Sequence, residues 1–318
     1  MSRSEHASLS RRQTPGLVGV GLRHPHYRDS LSGTSSIDFL EIHAENFFAE
    51  GGVIPAVLED VSQQYPISLH STSLGLGSAT GVNQNYLTRL ERLVNRINPL
   101  LVSDHASFAW GEFNGHAVHA GDLLPIEFTR RSIDVLVTNI DRVQQTLGRR
   151  ILLENLSAYT AYPNDIIPET EFLTTIADKS QCGLLIDLNN CLVNAHNFAD
   201  DPPLAAAQRW FDDIPPSLIG EIHLAGYTPQ AKPNFVIDDH SQPVSEQCWE
   251  LYHYALERTG PVTTLIEWDN NLPEWHILLE QAETARKIMH QATGNSPITS
   301  ATISEQQKAE QSEVTHAI

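Results

Sequence analysis

Seven short apolar stretches of this 318-residue chain close on residues that bind metals or move protons. The first closes on His43, Glu45 and Asn46, the second on His70, the third on Asp104 and His105. Next come Glu154 and Asn155, Asp187 with Asn189 and Asn190, Glu221 with His223, and Glu267 with Asp269. Buried carboxylates and imidazoles crowded together repel one another or go unsatisfied unless a cation sits among them. Histidine, aspartate, glutamate and asparagine without cysteine suit iron, manganese or zinc better than copper(I) or an iron–sulfur cluster. The set exceeds what one ion needs; two or three ions would use it.

Each piece alone is weak. A lone histidine at a strand end is more often a hydrogen-bonded core or surface residue, and Asp238 and His240, in VIDDHSQPV, read equally well as a solvated loop. Glu45, Glu221 and Asp269 suit groups that orient ligands or face an outer layer. Cys191 reads as a small buried side chain, and His196 as a loop residue. The weight lies in seven stretches ending the same way.

The elements that must position them recur eight times. The runs are LVGVGLR from Leu17, FLEIHAEN from Phe39, ISLHST from Ile67, LVSDHASF from Leu101, ILLENL from Ile151, GLLIDLNN from Gly183, GEIHLAGY from Gly220 and TTLIEWDN from Thr263. Each has strand length and precedes a segment of helical character, such as 85–98, 126–147, 245–258 or 272–290. Eight strand–helix alternations predict parallel strands closed into a single (β/α)₈ TIM barrel, with all strand ends on one rim. A doubly wound open sheet is the alternative, but its glycine-rich turn after the first strand is missing. Trp110, His116, His119 and Asp122 fall in what reads as a long loop after the fourth strand, placed to cover the mouth. No nucleophile elbow or phosphate-binding loop sequence is present.

Length and composition fit one such domain. Residues 16–292 form the expected barrel, residues 1–15 an expected disordered N-terminus, and residues 293–318 an expected flexible polar tail. Acidic residues outnumber basic ones 39 to 20, a formal charge of −19. That argues against a nucleic-acid or anionic-membrane partner, which would need a basic face. Metal ligands account for about half a dozen of the carboxylates at most; the rest suit a solvated surface. The three cysteines show no C-x-x-C pair, so neither a disulfide framework nor a zinc knuckle is expected. The first fifteen residues have no apolar core of a signal peptide, and no apolar run approaches the ~20 residues of a membrane span. A reducing cytoplasm is the expected compartment.

The motifs themselves are similar to one family. HAENFFAEGG from His43, SLHSTSLGLGS from Ser68, DLLPIEFT from Asp122 and RRILLENLSAY from Arg149 resemble the multinuclear non-haem iron-dependent oxidases, relatives of the methanobactin-biosynthesis iron enzyme. LLIDLNN, GEIHLAGY, VIDDHSQPV and TTLIEWDNNLP resemble it too, so the match spans about residues 16–290. The resemblance implies a barrel holding two or three irons in mixed valence. It implies dioxygen as co-substrate and a Cys-containing, ribosomally made precursor peptide as substrate, often delivered by a small partner protein. Carried over by position, Glu154, Asp187, His223 and Glu267 would hold one iron. His43, His70 and Asp104 would hold a second, with Glu154 or a solvent ligand as the bridge, and Asn190, Asp238 and His240 a third. Departures are Tyr227 where the family commonly has histidine, Phe198 in place of a histidine after the NN pair, and a slightly atypical SDHASFAW. They bear on substrate contacts and product. Two alternatives share these ligand types: a divalent-metal barrel of the sugar-isomerase or endonuclease type, and a non-catalytic metal-binding scaffold.

Overall fold

The computed structural model describes residues 16–33, 36–229 and 235–294. The expected N-terminal disorder lies outside these, as does the expected tail beyond residue 294.

All eight sequence runs become barrel strands: β1 (Val18–Gly21), β2 (Phe39–His43), β3 (Ile67–His70) and β4 (Val102–His105), then, after a hairpin of β5 (Phe108–Phe113) and β6 (His116–Leu124), β7 (Leu152–Glu154), β8 (Gly183–Asp187) and β9 (Ile219–Leu224). After a short ladder of β10 (Thr228–Pro229) and β11 (Val236–Ile237) comes β12 (Thr263–Ile266). The barrel closes in the order β1-β12-β9-β8-β7-β4-β3-β2, every pairing parallel. This is the TIM barrel that the alternation predicts.

The helices in chain order are α1 (Tyr27–Leu31), α2 (Val53–Ser62), α3 (Gln84–Ile97), α4 (Arg130–Leu147), α5 (Glu169–Ser180), α6 (Leu188–Phe198), α7 (Pro203–Asp212), α8 (Glu246–Thr259) and α9 (Trp275–Thr293). Their ends reflect local chemistry. Asn83, Thr129 and Ser245 accept backbone N–H groups in the first turns of α3, α4 and α8. Asn98 and Gly148 end α3 and α4 in the left-handed conformation. On α3, Tyr86, Leu87, Leu90, Leu93 and Val94 recur at helical spacing and are buried against the barrel. None of the described helices is long and apolar enough to cross a membrane.

One expectation changes. The segment after β4 is an antiparallel hairpin, β5–β6, not a loop. Asn114 and Gly115 both have positive φ (51° and 77°) and join the strands by a two-residue turn, a conformation that Asn-Gly adopts readily. Trp110 anchors the hairpin by donating from Nε1 to the Ser73 carbonyl at 2.7 Å. The end of β6 brings Asp122, Leu123 and Leu124 to the barrel mouth, while His116 is exposed and His119 packs on Trp110.

Candidate metal centre

Parallel register builds the centre. His43 pairs with His70, His105 with Glu154, and Asp187 with His223, so three neighbouring strand pairs each present two functional side chains at one level. One layer deeper, two residues earlier on the same strand faces, lie Glu41 and Glu221, both fully buried.

Glu154 is the hub. Its Oε2 lies 3.4 Å from His70 Nε2 and 3.2 Å from His105 Nε2. Its Oε1 lies 3.8 Å from His223 Nδ1, which is 2.9 Å from Glu267 Oε2. The ligand atoms of His70, His105 and Glu154 all fall within 4.8 Å of one another, and so do those of Glu154, Asp187, His223 and Glu267. Ligand atoms around an ion held at about 2.1 Å lie about 3 Å apart. The shortest pairs here, 2.9–3.8 Å, approach that spacing, and one carboxylate belongs to both groups. Further groupings within 4.8 Å are Glu41–His43–Glu267, Glu41–Glu221–His223 and His240–Glu267–Asp269.

The surrounding hydrogen bonds leave the right atoms free. His70 Nδ1 is 2.8 Å from the Ser103 hydroxyl; donation there leaves Nε2 as the acceptor nitrogen that a metal needs. Asp187 caps α6, its Oδ1 accepting from Asn190 N at 2.8 Å. Asn155 clamps the same residue from both sides, accepting from Asp187 N at 2.8 Å and donating to its carbonyl at 3.0 Å. Asp187 Oδ2 is then buried without a hydrogen-bond partner, as are Glu154 Oε2, Asn190 Oδ1, His223 Nε2 and both oxygens of Glu41. So many orphaned ligand-type atoms in one place cost free energy unless a cation satisfies them. The residues present fit a multinuclear metal centre.

Asp238 and His240 are not a solvated loop. Asp238 Oδ1 lies 2.7 Å from His240 Nε2, and the carboxylate accepts from Asn189 and from Ser157. His240 Nε2 is also 3.8 Å from Asp187 Oδ2, and its Nδ1 is 3.5 Å from Glu267 Oε2. Asn190, Asp238 and His240 line one cleft of about 660 Å³ with His43, His70, His105, Glu154 and Glu267.

Two expected ligands, Asp104 and His43, carry further contacts. Asp104 accepts backbone N–H groups on both oxygens, from Leu74 at 3.0 Å and from His105 at 2.5 Å. His105, its neighbour on β4, lies beside His70. The signal was strand alternation: His105 shares its face with Ser103, which touches His70, and Asp104 has the opposite phase. His43 meets Arg23, whose Nη2 is 2.9 Å from Nε2. Glu45 points away, accepting from Thr72 N and the Tyr86 hydroxyl. His196 lies on α6, bonded to Tyr227 and Gln247. Cys191 is buried, as expected.

Electrostatics reflect the crowding. Burial pushes Glu154 up to about 8 and Asp187 up to about 7, against the pull of nearby histidines. Glu41 and Glu221 are raised for the same reason. Burial pulls His105 down, but the Glu154 and Asp104 carboxylates outweigh it and hold it at about 9. His43, buried and beside Arg23, falls to about 4. Glu267 is held well below the usual range because His240 and His223 outweigh its burial. Without a metal the centre therefore keeps protons that a cation would displace.

Substitution separates the neighbours on β4. His105→Ala is expected to lose one metal ion per chain by elemental analysis. Asp104→Asn, altering a carboxylate whose two oxygens already accept backbone N–H groups, is expected to weaken metal binding about 10–100-fold yet fill the centre at saturating metal. Equal and complete loss in both would show that Asp104 is itself a ligand.

Comparison with known proteins agrees with this geometry. Residues 17–290 match the family model described as RiPP precursor modification enzyme MbnB/TglH/ChrH. A UPF0276 protein of Chromobacterium violaceum is 41% identical over 277 residues, covering 86% of this chain and 95% of that protein. One of Acaryochloris marina is 42% identical over 269 residues, covering 84% and 93%. Among solved structures, a xylose isomerase domain protein from Alicyclobacillus acidocaldarius aligns with a TM-score of 0.55 at 14% identity, covering 87% of this chain and 98% of that one. Endonuclease IV from Thermus thermophilus aligns at 0.53 and 12%, covering 86% and 99%. At such identities these show the barrel alone. The family match over nearly the whole described body, with the buried histidine–carboxylate groups at its barrel mouth, makes this chain a member of the RiPP precursor modification enzyme family MbnB/TglH/ChrH.

Proposed function

We propose that the protein is a multinuclear non-haem iron oxidase that uses dioxygen to modify a cysteine, or another residue, of a ribosomally made precursor peptide. The observation that carries this reading is Glu154, buried and shared between two histidine–carboxylate groups whose remaining ligand atoms include several without a partner. Two or three irons, as the family resemblance implies, fit that set.

Iron bound here would supply activation of dioxygen and coordination of the peptide thiolate. The chain's own residues do the rest. Asn155 and Ser103 fix Asp187 and His70 in their binding orientations. Leu124, Pro125 and Leu156 line the cleft with apolar surface that limits water around the reacting residue. Asp122, Tyr159 and Asn270 offer polar groups to a peptide backbone lying across the mouth. In the net reaction the peptide residue loses electrons and hydrogen, and dioxygen takes them up. A small protein that delivers the peptide is part of the proposal.

The test uses iron-loaded protein, prepared without oxygen, and a short Cys-containing peptide encoded beside its gene. A dioxygen-dependent change in peptide mass is the expected result. A peptide that binds and keeps its mass under oxygen would favour a scaffold.

A further inference from the structure

Beside the metal cleft lies a second recess of about 350 Å³, between the segment after β7 and helices α5, α6 and α7. Phe128, Leu173 and Phe198 line it with apolar surface. Ala195 on α6, and Ala206 and Ala207 on α7, leave space that longer side chains would fill. Pro125, Leu156 and Thr160 line both the recess and the cleft. All three are half-buried or exposed, so they form a sill between the two spaces and not a wall of core. Leu156 follows Glu154 by two residues. At no more than about 3.6 Å of chain per residue, the sill stands within about 7 Å of the Glu154 backbone.

Two of the polar groups in the recess are spent on the chain itself. Asn194 accepts from Ala158 N at 2.8 Å and donates to the Leu156 carbonyl at 3.0 Å. Asp165 accepts from Phe128 N at 2.7 Å and from Tyr162 N at 3.1 Å. Glu169 differs. Its Oε2 accepts from Trp210 Nε1 at 2.8 Å, and its Oε1 accepts no hydrogen bond among the described residues. Burial pushes this carboxyl up to about 7, with the Trp210 bond opposing. Apolar walls with one placed polar atom fix both the body and the tip of an occupant. Tyrosine and tryptophan combine a flat apolar body with a donor at the tip. Leucine or phenylalanine would cover Oε1 without a partner, and lysine would give up its hydration for one carboxyl among apolar walls. In an extended peptide, residues two apart share a face and lie about 7 Å from each other. That is the step from Glu154 to the sill.

We propose that this recess takes a tyrosine or tryptophan side chain of the substrate peptide, two residues from the modified one, with its tip donating to Glu169 Oε1. The inference rests on the peptide-oxidase reading above.

The test uses the full chain, iron-loaded without oxygen, and reads dissociation constants for acetylated pentapeptide amides. Each has cysteine at its centre, glycine on either side of it, and tyrosine, phenylalanine, lysine or glycine at both ends. Wild type is expected to bind the tyrosine peptide about 10-fold more tightly than the phenylalanine peptide, the worth of one hydrogen bond. Glu169→Leu is expected to bind these two alike. Ala161→Trp, which fills the recess from an exposed position, is expected to bind both no better than the glycine peptide, and it carries the test if the Glu169 variant does not fold. Iron content should be unchanged in both variants. Equal affinity of wild type for all four peptides, tightest binding of the lysine peptide, or a tyrosine preference that survives in Ala161→Trp overturns the proposal. A tyrosine preference in a protein whose bound peptide keeps its mass under oxygen supports the recess and overturns the oxidase reading instead.

Discussion

Glu154→Gln is expected to empty both metal groups at once. The carboxylate places one oxygen against His70 and His105 and the other toward His223, so its neutral isostere removes a charged ligand from each. The amide also introduces an N–H₂ that can direct hydrogens at the imidazoles. The loss of a metal's electrostatic stabilisation costs several kcal/mol in a transition state, so turnover should fall by about 10³-fold or more. Iron content should fall by more than one equivalent. Folding should survive, because Gln keeps the volume and removes a buried charge. Elemental analysis beside a circular dichroism melt checks both parts. Retention of all the iron would mean that the carboxylate does not bridge.

The second large effect is on stability. In metal-stripped protein Glu154 and Asp187 titrate near 8 and 7, raised mainly by burial, while the unfolded chain releases these protons near 4. His105 holds its proton to about 9 through Glu154 and Asp104, against burial, and an unfolded histidine releases it near 6.5. Between about pH 6.5 and about 8 the folded state thus binds more protons than the unfolded one. Stability falls with rising pH wherever that holds. His43, lowered to about 4 by burial and Arg23, acts in the opposite sense, but only below about 6.5. The Tm of stripped protein should therefore drop by several degrees across that window. Iron- or zinc-loaded protein should melt higher throughout, and most markedly at the alkaline end, because the bound cation replaces the protons. Parallel melting curves for the two forms would contradict this account of the buried carboxylates.

The barrel was legible because parallel strands buried on both faces read as short apolar runs, and nearly every run here ends in polar residues that a core would not tolerate. The same feature exposed most of the candidate centre: Glu154, Asp187, His223 and Glu267 stand where their strands stop. What escaped depended on register or on distant contacts. Placing His105 beside His70 and Glu154 needed the phase of a four-residue strand. The β5–β6 hairpin carried the Asn114–Gly115 turn signal, but its exposed, irregular strands lack a clear apolar alternation. Arg23 could not be foreseen at the centre, because its partner Asp269 is 246 residues away and an arginine after a strand is usually solvated.

The central claim is a centre of more than one iron at the mouth of the barrel. Mössbauer spectroscopy and elemental analysis of ⁵⁷Fe-loaded protein, prepared without oxygen, test it most directly. Two or three irons per chain with spectra of interacting ions are the predicted result. A single zinc that supports turnover, with iron neither retained nor active on reconstitution, would contradict it.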